Sequence, residues 1–546
     1  MFTDVLIIGA GPCGLAVAAR LSESTPSALF TDDEHARYWK RFKMTTLQSE
    51  AARKRKHCNS SIFDSGYEID ENSVKRSNRP SMAVLDASSD EWLGAWKSRF
   101  QRLNIKHLRS PLFFHPDPRD RDGLLAYAHE QGRESELVEI PNIAGKEYSK
   151  HAQKKQRNRQ HKVERHLRVD GRDRIDYYTP STALFEDYCD SIVERYGLHG
   201  LVHKASVRNI SYDDVGGPSS SRMFCVDTDK GMYMAKIVIV ATGPASAPCL
   251  PEDHRLELTA TSHSAASHIF SPNGLELPAS LADKLKSRQA TYVVIVGGGL
   301  TSAQVAVELI SSDVTHVWLL LRGKYKLKHF DVDLEWVSKV RNQRMAEFWS
   351  ADTDSERAEM FKQARNGGSI TPAFDRELQK LVRAGKLSIS PHTTIDNGSY
   401  YCGGWNLTTS SHLNLPPIDH VFYATGVRPD FTNIAFLDEL RSGYPISAIG
   451  GHPVIGDDLM YEEDLPLFFT GALAALRLGP GAANLAGARQ GAERIAWKVE
   501  ELLGRQSSPS KQSTKPPDRI YDELSRDRSE FTGGWTNQFD ALQLAL

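Results

Sequence analysis

The chain of 546 residues has few cysteines, and none of them lies close to another in the sequence. There is no Cys-x-x-Cys pair and no Cys/His cluster at the spacing of zinc ligands among Cys13, Cys58, Cys189, Cys225, Cys249 and Cys402. A redox-active disulfide needs two neighbouring thiols, and an iron–sulfur cluster needs a run of thiolate ligands. The sequence therefore argues against both classes of redox protein and predicts no metal site. We expect all six to be reduced packing residues, and only Cys13, at a predicted helix start, merits a test of reactivity.

The sequence also lacks a strong net charge and a long apolar run. Its 67 basic and 69 acidic residues give a net charge of -2, so no overall field attracts nucleic acid or an anionic membrane. No apolar run approaches the roughly 20 residues needed to cross a bilayer, and residues 4–9 read as a buried strand rather than a signal peptide. We therefore expect a multi-domain cytoplasmic protein with a small-molecule substrate and neither a nucleic-acid nor a membrane partner. The oligomeric state stays open.

What the sequence does contain, at its start, is an apolar run that leads into a glycine-rich turn and then into a helical pattern. In such a turn the first glycine redirects the chain, the second admits a pyrophosphate against the backbone, and the third lets helix and strand pack closely. The helix N-terminus then stabilises the phosphates through free N–H groups and a partial positive charge. Asp32, 18 residues after the turn and beyond a second predicted strand at 28–30, suits a ribose. The turn residues predicted to bind a dinucleotide are Gly9, Gly11, Pro12 and Gly14.

The same order of strand, glycine turn and helix returns near residue 291. The second turn contains Gly297 and Gly299 and has Ser302 in place of the last glycine, a residue still small enough for helix and strand to approach. The following strand ends at Arg322, where an NAD-binding unit usually has an acid, so the guanidinium predicts recognition of a 2′-phosphate and hence NADPH. A solvated arginine at a strand end is the alternative. Three lysines would add positive potential nearby: Lys324, Lys326 and Lys328.

Two Ala-Thr-Gly segments, at residues 241–243 and 424–426, accompany the two glycine turns. Together these motifs resemble flavoproteins with two dinucleotide-binding domains. The resemblance implies an α/β fold with two Rossmann-like dinucleotide-binding domains, for FAD and NAD(P), the second inserted into the first. The expected ranges are 1–285 for the first part of the FAD domain, with polar insertions at about 50–180, then 286–419 for the NADPH domain, 420–505 for the second part of the FAD domain, and 506–546 for a linker and tail.

The same resemblance implies further cofactor contacts. The segment from Gly479 to Gly491 looks like the closing helix of these flavoproteins, whose N-terminus faces the flavin pyrimidine. Backbone donors there would stabilise negative charge on the reduced flavin. Where many members have Gly-Asp before this helix, Gly471 is followed by Ala472. The residues implied to contact a cofactor are Thr242, Thr425, Gly426, Gly481, Ala482 and Asn484.

The segment from Trp39 to Gln48 is similar to class B flavin monooxygenases. In their ornithine and lysine N-hydroxylase branch the acid of the second strand is followed by a tryptophan, a methionine and a glutamine that lies against the flavin, an order matched by Asp32, Trp39, Met44 and Gln48. Gln48 could equally be a surface residue. The segment around His263 also resembles a histidine-serine segment of that branch.

This resemblance implies an FAD enzyme that uses NADPH and O2 to insert one oxygen atom, via a flavin hydroperoxide, into a small metabolite with a nucleophilic nitrogen or sulfur. The flavin carries the chemistry, and the sequence indicates no general base and no catalytic triad. Two alternatives remain at this point. One is an FAD-dependent NAD(P)H oxidoreductase or oxidase without oxygen insertion. The other is a redox-responsive interaction protein that binds partners through the basic segment 150–174 and the tail after 506.

Overall fold

The computed structural model describes the following residues: 1–23, 79–141, 143, 171–215, 221–243, 248–251, 256, 265–271, 274, 276–338 and 341–506. Their strands are β1 (Phe2–Ile8), β2 (Met82–Asp86), β3 (Leu137–Glu139), β4 (Tyr178–Pro180), β5 (Val202–Lys204), β6 (Val207–Val215), β7 (Ser221–Thr228), β8 (Gly231–Val240), β9 (Ala266–His268), β10 (Tyr292–Val296), β11 (His316–Leu321), β12 (Leu387–Pro391), β13 (Ile395–Tyr401), β14 (Gly404–Thr409), β15 (His420–Tyr423), β16 (Ala448–Ile449), β17 (His452–Pro453), β18 (Met460–Glu462) and β19 (Leu465–Phe469).

The α-helices of the same residues are α1 (Pro12–Arg20), α2 (Gly94–Arg102), α3 (Gly123–Glu130), α4 (Gly171–Asp176), α5 (Thr182–Arg195), α6 (Ala279–Lys286), α7 (Leu300–Ser311), α8 (Arg341–Trp349), α9 (Asp354–Arg365), α10 (Pro372–Arg383), α11 (Asp438–Gly443), α12 (Ala475–Leu478) and α13 (Leu485–Gln506). Among these helices none combines the length and the hydropathy that a bilayer span requires.

The first sheet has the strand order β18-β19-β8-β1-β2-β5, with the β6-β7 hairpin joined to β8. Its central strands are parallel, β1 lying between β2 and β8. Parallel strands covered on both faces are apolar almost throughout, and Val5, Leu6 and Ile7 of β1 are fully buried accordingly. Helix α13 packs against α1 beside this sheet, where Glu493 and Glu500 of α13 pair with Arg20 of α1.

The second sheet is wholly parallel, in the order β12-β11-β10-β15-β9. Alternate residues of β10 face opposite sides, because side chains along a strand have a period of two. Val293 and Ile295 join the cluster that includes buried residues of α7, whereas Val294 joins the cluster around Trp405 and Leu407 of β14. All strands of this sheet come between β8 and β19 in the chain. The predicted fold, a second dinucleotide-binding unit inserted into the first, is confirmed.

Two details of the predicted organisation differ from the structure. The second sheet begins at Ala266 and ends at Tyr423, so it extends beyond the predicted range of 286–419 on both sides. Within the region at about 50–180, where polar insertions were expected, β2 is an inner strand of the first sheet. The short apolar run Met82–Leu85 was not predicted to be a strand because the sequence on both sides of it is polar.

Arg109 connects the first unit to the second. It lies between α2 and α3, and its guanidinium donates to the backbone oxygens of Lys328 at 3.0 Å and His329 at 3.1 Å and to Ser369 Oγ at 2.9 Å. These acceptors belong to the chain between β11 and β12. Burial lowers the pKa of Arg109 to about 10, and the nearby Asp331 opposes that shift. These hydrogen bonds connect the loop between α2 and α3 to the second unit.

Candidate functional site

The first glycine turn has the geometry that its sequence predicts. Gly9 has φ +112°, and a Cβ there would lie 2.5 Å from the carbonyl oxygen of Ala241 on the neighbouring strand end. A Cβ on Gly14 would lie 2.0 Å from the Gly9 oxygen, so helix and strand meet more closely than any side chain allows. Pro12 is the first residue of α1, where a missing N–H removes no helical bond. These contacts hold the turn and the N-terminus of α1 together.

Gly11 differs from Gly9 and Gly14 because no atom lies close to the position that its Cβ would take. It precedes α1 in an extended conformation, and a Cβ there would meet no atom within 4 Å. The neighbouring Thr242 has a buried hydroxyl oxygen with no hydrogen-bond partner among the described residues, and its Cα lies 3.1 Å from the position of a Gly9 Cβ. An open space over bare backbone at the start of a helix fits the pyrophosphate of a dinucleotide.

Asp86 is a residue of this site that the sequence analysis missed. It ends β2, the parallel neighbour of β1, and its Oδ2 accepts the N–H of Ala10 in the glycine turn at 3.0 Å. Its Oδ1 accepts the N–H of Ser88 at 2.9 Å. An acid at the tip of the strand beside β1 occupies the ribose-binding position of a Rossmann unit. A short apolar run that ends in an acid and is followed by two serines was the available signal.

The acid predicted for that position, Asp32, lies outside the described residues, as do Trp39, Met44, Gln48 and the His263 segment. The predicted strand at 28–30 also lies outside the described residues. The roles of Asp32, Trp39 and Gln48 stay predictions.

The second glycine turn repeats the packing of the first. Gly297 has φ +154°, and a Cβ there would lie 2.5 Å from the carbonyl oxygen of Ala424, the counterpart of Ala241. Ser302 is fully buried and donates its hydroxyl hydrogen to the Gly299 oxygen at 2.6 Å. The serine that replaces the third glycine therefore fits at the start of α7, as predicted. A Cβ on Gly299 would meet only the Cα of Gly368, at 3.8 Å.

Gly368 reveals a second segment at this turn. A Cβ on Gly368 would come within 2.8 Å of the Gly299 nitrogen, so the loop between α9 and α10 passes directly against the glycine turn. Only a glycine backbone can approach so closely. The sequence signal, a Gly-Gly pair at 367–368 just after α9, was overlooked. A dinucleotide at the second turn would share its binding space with this loop.

Arg322 follows β11 and is exposed, without a hydrogen bond or ion pair to any described residue. It is therefore available to a ligand at the strand tip. The lysines predicted to assist it differ from one another. Lys326 donates to Asn366, and Lys328 donates to the carbonyl oxygens at the end of α9 and pairs with Asp333. Those two stabilise the C-terminus of α9, which leaves Arg322 and the exposed Lys324 as the available cations.

The second Ala-Thr-Gly turn differs from the first because its threonine hydroxyl has hydrogen-bond partners. The Thr425 hydroxyl donates to the carbonyl oxygen of Cys249, and the Nε2 of His268 lies 3.2 Å from the same hydroxyl. Gly426 has φ +85° and accepts the N–H of Cys249 at 3.0 Å. Burial lowers the pKa of His268, so its ring is neutral at pH 7. The Thr425 hydroxyl is therefore bonded to two neighbouring segments of the chain. It is less available than the Thr242 hydroxyl to contact a cofactor.

The predicted closing helix is α13, and Asn484 lies just before its first residue. The Asn484 Oδ1 accepts the N–H of Ala486 at 3.0 Å and that of Gly487 at 3.3 Å, the bonding of a helix N-cap. The backbone N–H groups of Ala482 and Asn484 are bonded within the turn, so these two predicted donors are not free for a flavin. The N–H of Gly481, a predicted donor, has no acceptor in the described part of the chain.

Cys13 is not the reactive thiol that its helix-start position suggested. Some of the residue remains accessible, but burial of the thiol raises its pKa to about 12, a shift that a hydrogen bond with Thr470 only partly opposes. A thiol with so high a pKa stays protonated at neutral pH and is a poor nucleophile. The described cysteines form no disulfide. Cys58 lies outside the described residues.

Comparison with known proteins gives this architecture its relatives. Residues 174–395 match the family model described as L-lysine 6-monooxygenase/L-ornithine 5-monooxygenase. The predicted resemblance is confirmed. An uncharacterized CzcO-like oxidoreductase of Geobacillus kaustophilus is 26% identical over 300 residues, which cover 53% of this chain and 71% of the relative. Family description and relative both name oxidoreductases, in agreement with the predicted enzyme class.

Solved structures agree on the fold. The ornithine N-hydroxylase of Kutzneria sp. 744, in a complex with reduced FAD, NADP+ and L-ornithine, superposes with a TM-score of 0.57 at 14% identity and covers 92% of this chain and 100% of its own. The L-lysine 6-monooxygenase of Pseudomonas syringae has a TM-score of 0.55 at 16% identity with the same coverage. At these identities the likeness concerns the fold.

Proposed function

We propose that this chain is an FAD- and NADPH-dependent monooxygenase that inserts one oxygen atom from O2 into a small metabolite with a nucleophilic nitrogen or sulfur. The observation that carries the proposal is the duplicated glycine turn. Gly9 against Ala241 and Gly297 against Ala424 make the same contact in two sheets, one inserted into the other. The match to a lysine and ornithine monooxygenase model favours this function over an oxidase or an interaction protein.

FAD fits the first turn. Its pyrophosphate would lie over Gly11 at the N-terminus of α1, where a Cβ would meet no atom within 4 Å and the helix presents its first N–H groups. Asp86, at the end of β2, holds the turn through Ala10 and stands at the ribose position. The unbonded N–H of Gly481 before α13 is a donor for the flavin ring.

NADPH fits the second turn, at Gly297 to Ser302, with Arg322 on the 2′-phosphate. A guanidinium without a protein partner can bind that phosphate through two N–H groups. FAD held at the first turn would supply the redox chemistry between NADPH and O2. The chain's own residues bind and orient both dinucleotides and limit the access of water. A cytoplasmic location, and the absence of nucleic-acid and membrane partners, stay predictions.

The test follows NADPH oxidation, hydrogen peroxide release and product formation by the purified, flavin-loaded protein with a panel of amines and thioethers. For the right substrate we expect faster NADPH oxidation, less hydrogen peroxide per NADPH, and a product whose new oxygen derives from labelled O2. The matched control is the quaternary ammonium or sulfone form of the substrate, which has no nucleophilic lone pair on the nitrogen or sulfur. Recovery of all electrons as hydrogen peroxide with every compound would leave an oxidase as the function.

A further inference from the structure

A cavity of about 500 Å³ lies away from both glycine turns, where α8 and α9 meet α12 and α13. Its size is in the range of protein binding sites, roughly 300 to 1,000 Å³. Its lining combines two tryptophans, Trp349 and Trp497, with four basic residues and three acids, Asp457, Asp458 and Glu501. None of them belongs to the proposed FAD and NADPH sites, so the cavity is separate from both.

Two tryptophans in its wall leave large apolar surfaces uncovered. Trp349 is 48% exposed and Trp497 is 53% exposed. The indole N–H of Trp349 donates to the carbonyl oxygen of Arg477 at 3.2 Å, which fixes the ring and satisfies its single polar group. Two large aromatic side chains left half-exposed in one concave site indicate a surface that another apolar group covers.

The charges in the cavity are paired with one exception. Arg477 forms an ion pair with Asp354, and Lys498 forms one with Asp458. Arg494 instead donates to the backbone oxygens of Asp457 and Arg477 and lies over the Trp349 ring, its Cζ 5.6 Å from the ring centroid. Among the described residues it pairs with no carboxylate. The cavity therefore suits an apolar segment, since acids balance most of its basic charge.

The sequence beyond α13 contains such a segment. Residues 535–546 place Trp535, Phe539, Leu542 and Leu546 at the i, i+4, i+7 and i+11 positions of a helix, which is the pattern of one apolar face. Asp540 is the only charged side chain in this segment. A face of this kind is not stable in water and needs a partner surface to cover it.

The connection is long enough to bring this segment back to the cavity. Trp497 lies nine residues before the end of α13, about 14 Å along the helix. Residues 507–534 provide 28 residues between helix and segment, and a chain of that length can span up to about 90 Å. The segment's attachment at α13 also gives it a high effective concentration near a cavity that α13 itself lines.

We propose that residues 535–546 bind in this cavity as an amphipathic helix, with the apolar face on Trp349 and Trp497 and with Asp540 on the side that faces away from them. The bound segment contacts α8 and α9, from the connection between β11 and β12, together with α12 and α13, which follow β19. It therefore joins the inserted NADPH unit to the last part of the FAD unit. This assigns the tail an intramolecular role.

Hydrogen exchange of the full chain, followed by mass spectrometry, tests this binding. In the unchanged protein, residues 535–546 are expected to be protected, and Phe539→Asp is expected to lower protection of that segment and of the cavity helices by about tenfold or more. Asn537→Asp adds the same charge on the opposite side of the helical pattern, so it should leave protection unchanged. Trp497→Ala, at a half-exposed position, should lower protection of residues 535–546 without unfolding the protein.

The outcomes are distinct. Exchange of residues 535–546 at the rate of an unstructured peptide in the unchanged protein would overturn the proposal, since the cavity would then have another occupant such as a small anion with an aromatic ring. Equal effects of Phe539→Asp and Asn537→Asp would also overturn it. Protection that rises with protein concentration would show that the segment binds a second copy of the chain rather than its own cavity, which contradicts the intramolecular assignment.

Discussion

Gly11 and Gly9 sit two residues apart and meet opposite surroundings. A side chain on Gly9 would collide with the Ala241 backbone, whereas one on Gly11 would enter empty space. A substitution at Gly11 therefore separates cofactor binding from folding. The same turn shows why the sequence was informative here, because the needs of a tight turn and of a close helix–strand contact are local and leave a recognisable glycine spacing.

For Gly11→Val we expect a folded protein that has lost most of its FAD, because the isopropyl group fills the space over which the pyrophosphate would lie. The measurement is the ratio of flavin to protein absorbance after purification, together with the Kd of added FAD. Gly443→Val, which also adds a side chain in open space but far from the turn, is the control. Wild-type FAD affinity in Gly11→Val would rule out the first turn as the FAD site.

Arg322 gives the corresponding prediction for the second cofactor. Arg322→Ala removes a charge-assisted phosphate contact worth about 1.5 to 3 kcal/mol, so KM for NADPH should rise roughly 10- to 150-fold while KM for NADH stays nearly constant. Lys326→Ala, at a cation already bonded to Asn366, should have little effect on either. A wild-type preference for NADH, or equal losses for the two cofactors, would contradict this role.

At the scale of elements, β2 marks the limit of the sequence reading. Both 28–30 and 82–86 are short apolar runs followed by an acid, and spacing from the first turn favoured the nearer one. The structure places the farther one beside β1. Pairing of strands separated by more than 70 residues depends on contacts that no local pattern encodes. Gly368 was missed for the same reason, since its contact with Gly299 joins distant parts of the chain.

The two acids can be compared directly. Asp86→Asn weakens the acceptor that holds the Ala10 N–H and removes a charged ribose ligand, so the Kd for FAD should rise about tenfold or more. Asp32→Asn should leave the Kd nearly unchanged if β2 carries the ribose-binding acid. Both are measured by FAD titration of the apoprotein, with circular dichroism as the check on folding. A loss confined to Asp32→Asn would show that Asp32, not Asp86, is the ribose-binding acid.

For the molecule as a whole, sequence repetition was the reliable signal. Two glycine turns and two Ala-Thr-Gly segments predicted two nested units, and the order of strands in the two sheets confirms that arrangement. The limits of the units were less accessible, because β9 and β15 complete the second sheet from just inside the neighbouring segments. Contacts between the units, such as that of Arg109 with the carbonyl oxygens near residue 329, use backbone acceptors. Every residue has a backbone carbonyl, so the residue types of the sequence do not predict these contacts.

Buried histidines in the two units predict how the stability of the whole molecule depends on pH. His115 packs in the first unit, where burial, aided by Arg489, lowers its pKa to about 4. His420 begins β15 in the second unit, with its Nε2 2.9 Å from Ser267 Oγ, and burial lowers its pKa to about 3. The ordinary pKa of histidine is about 6.5. Below that pH the unfolded chain binds protons that the folded chain does not, so the free energy of unfolding falls as the pH falls.

Each of these histidines should contribute a slope of up to about 1.4 kcal/mol per pH unit between its unfolded and folded pKa. We therefore expect Tm to fall as the pH is lowered from 7 to 5. His420→Gln should have a lower Tm at pH 7, because it disturbs a packed strand, but a smaller further loss on acidification, because the amide does not titrate. His199→Gln, at an exposed histidine, should keep the wild-type slope. Calorimetry at several pH values decides the matter: parallel Tm curves for the wild type and His420→Gln would mean that His420 is not held neutral in the folded protein.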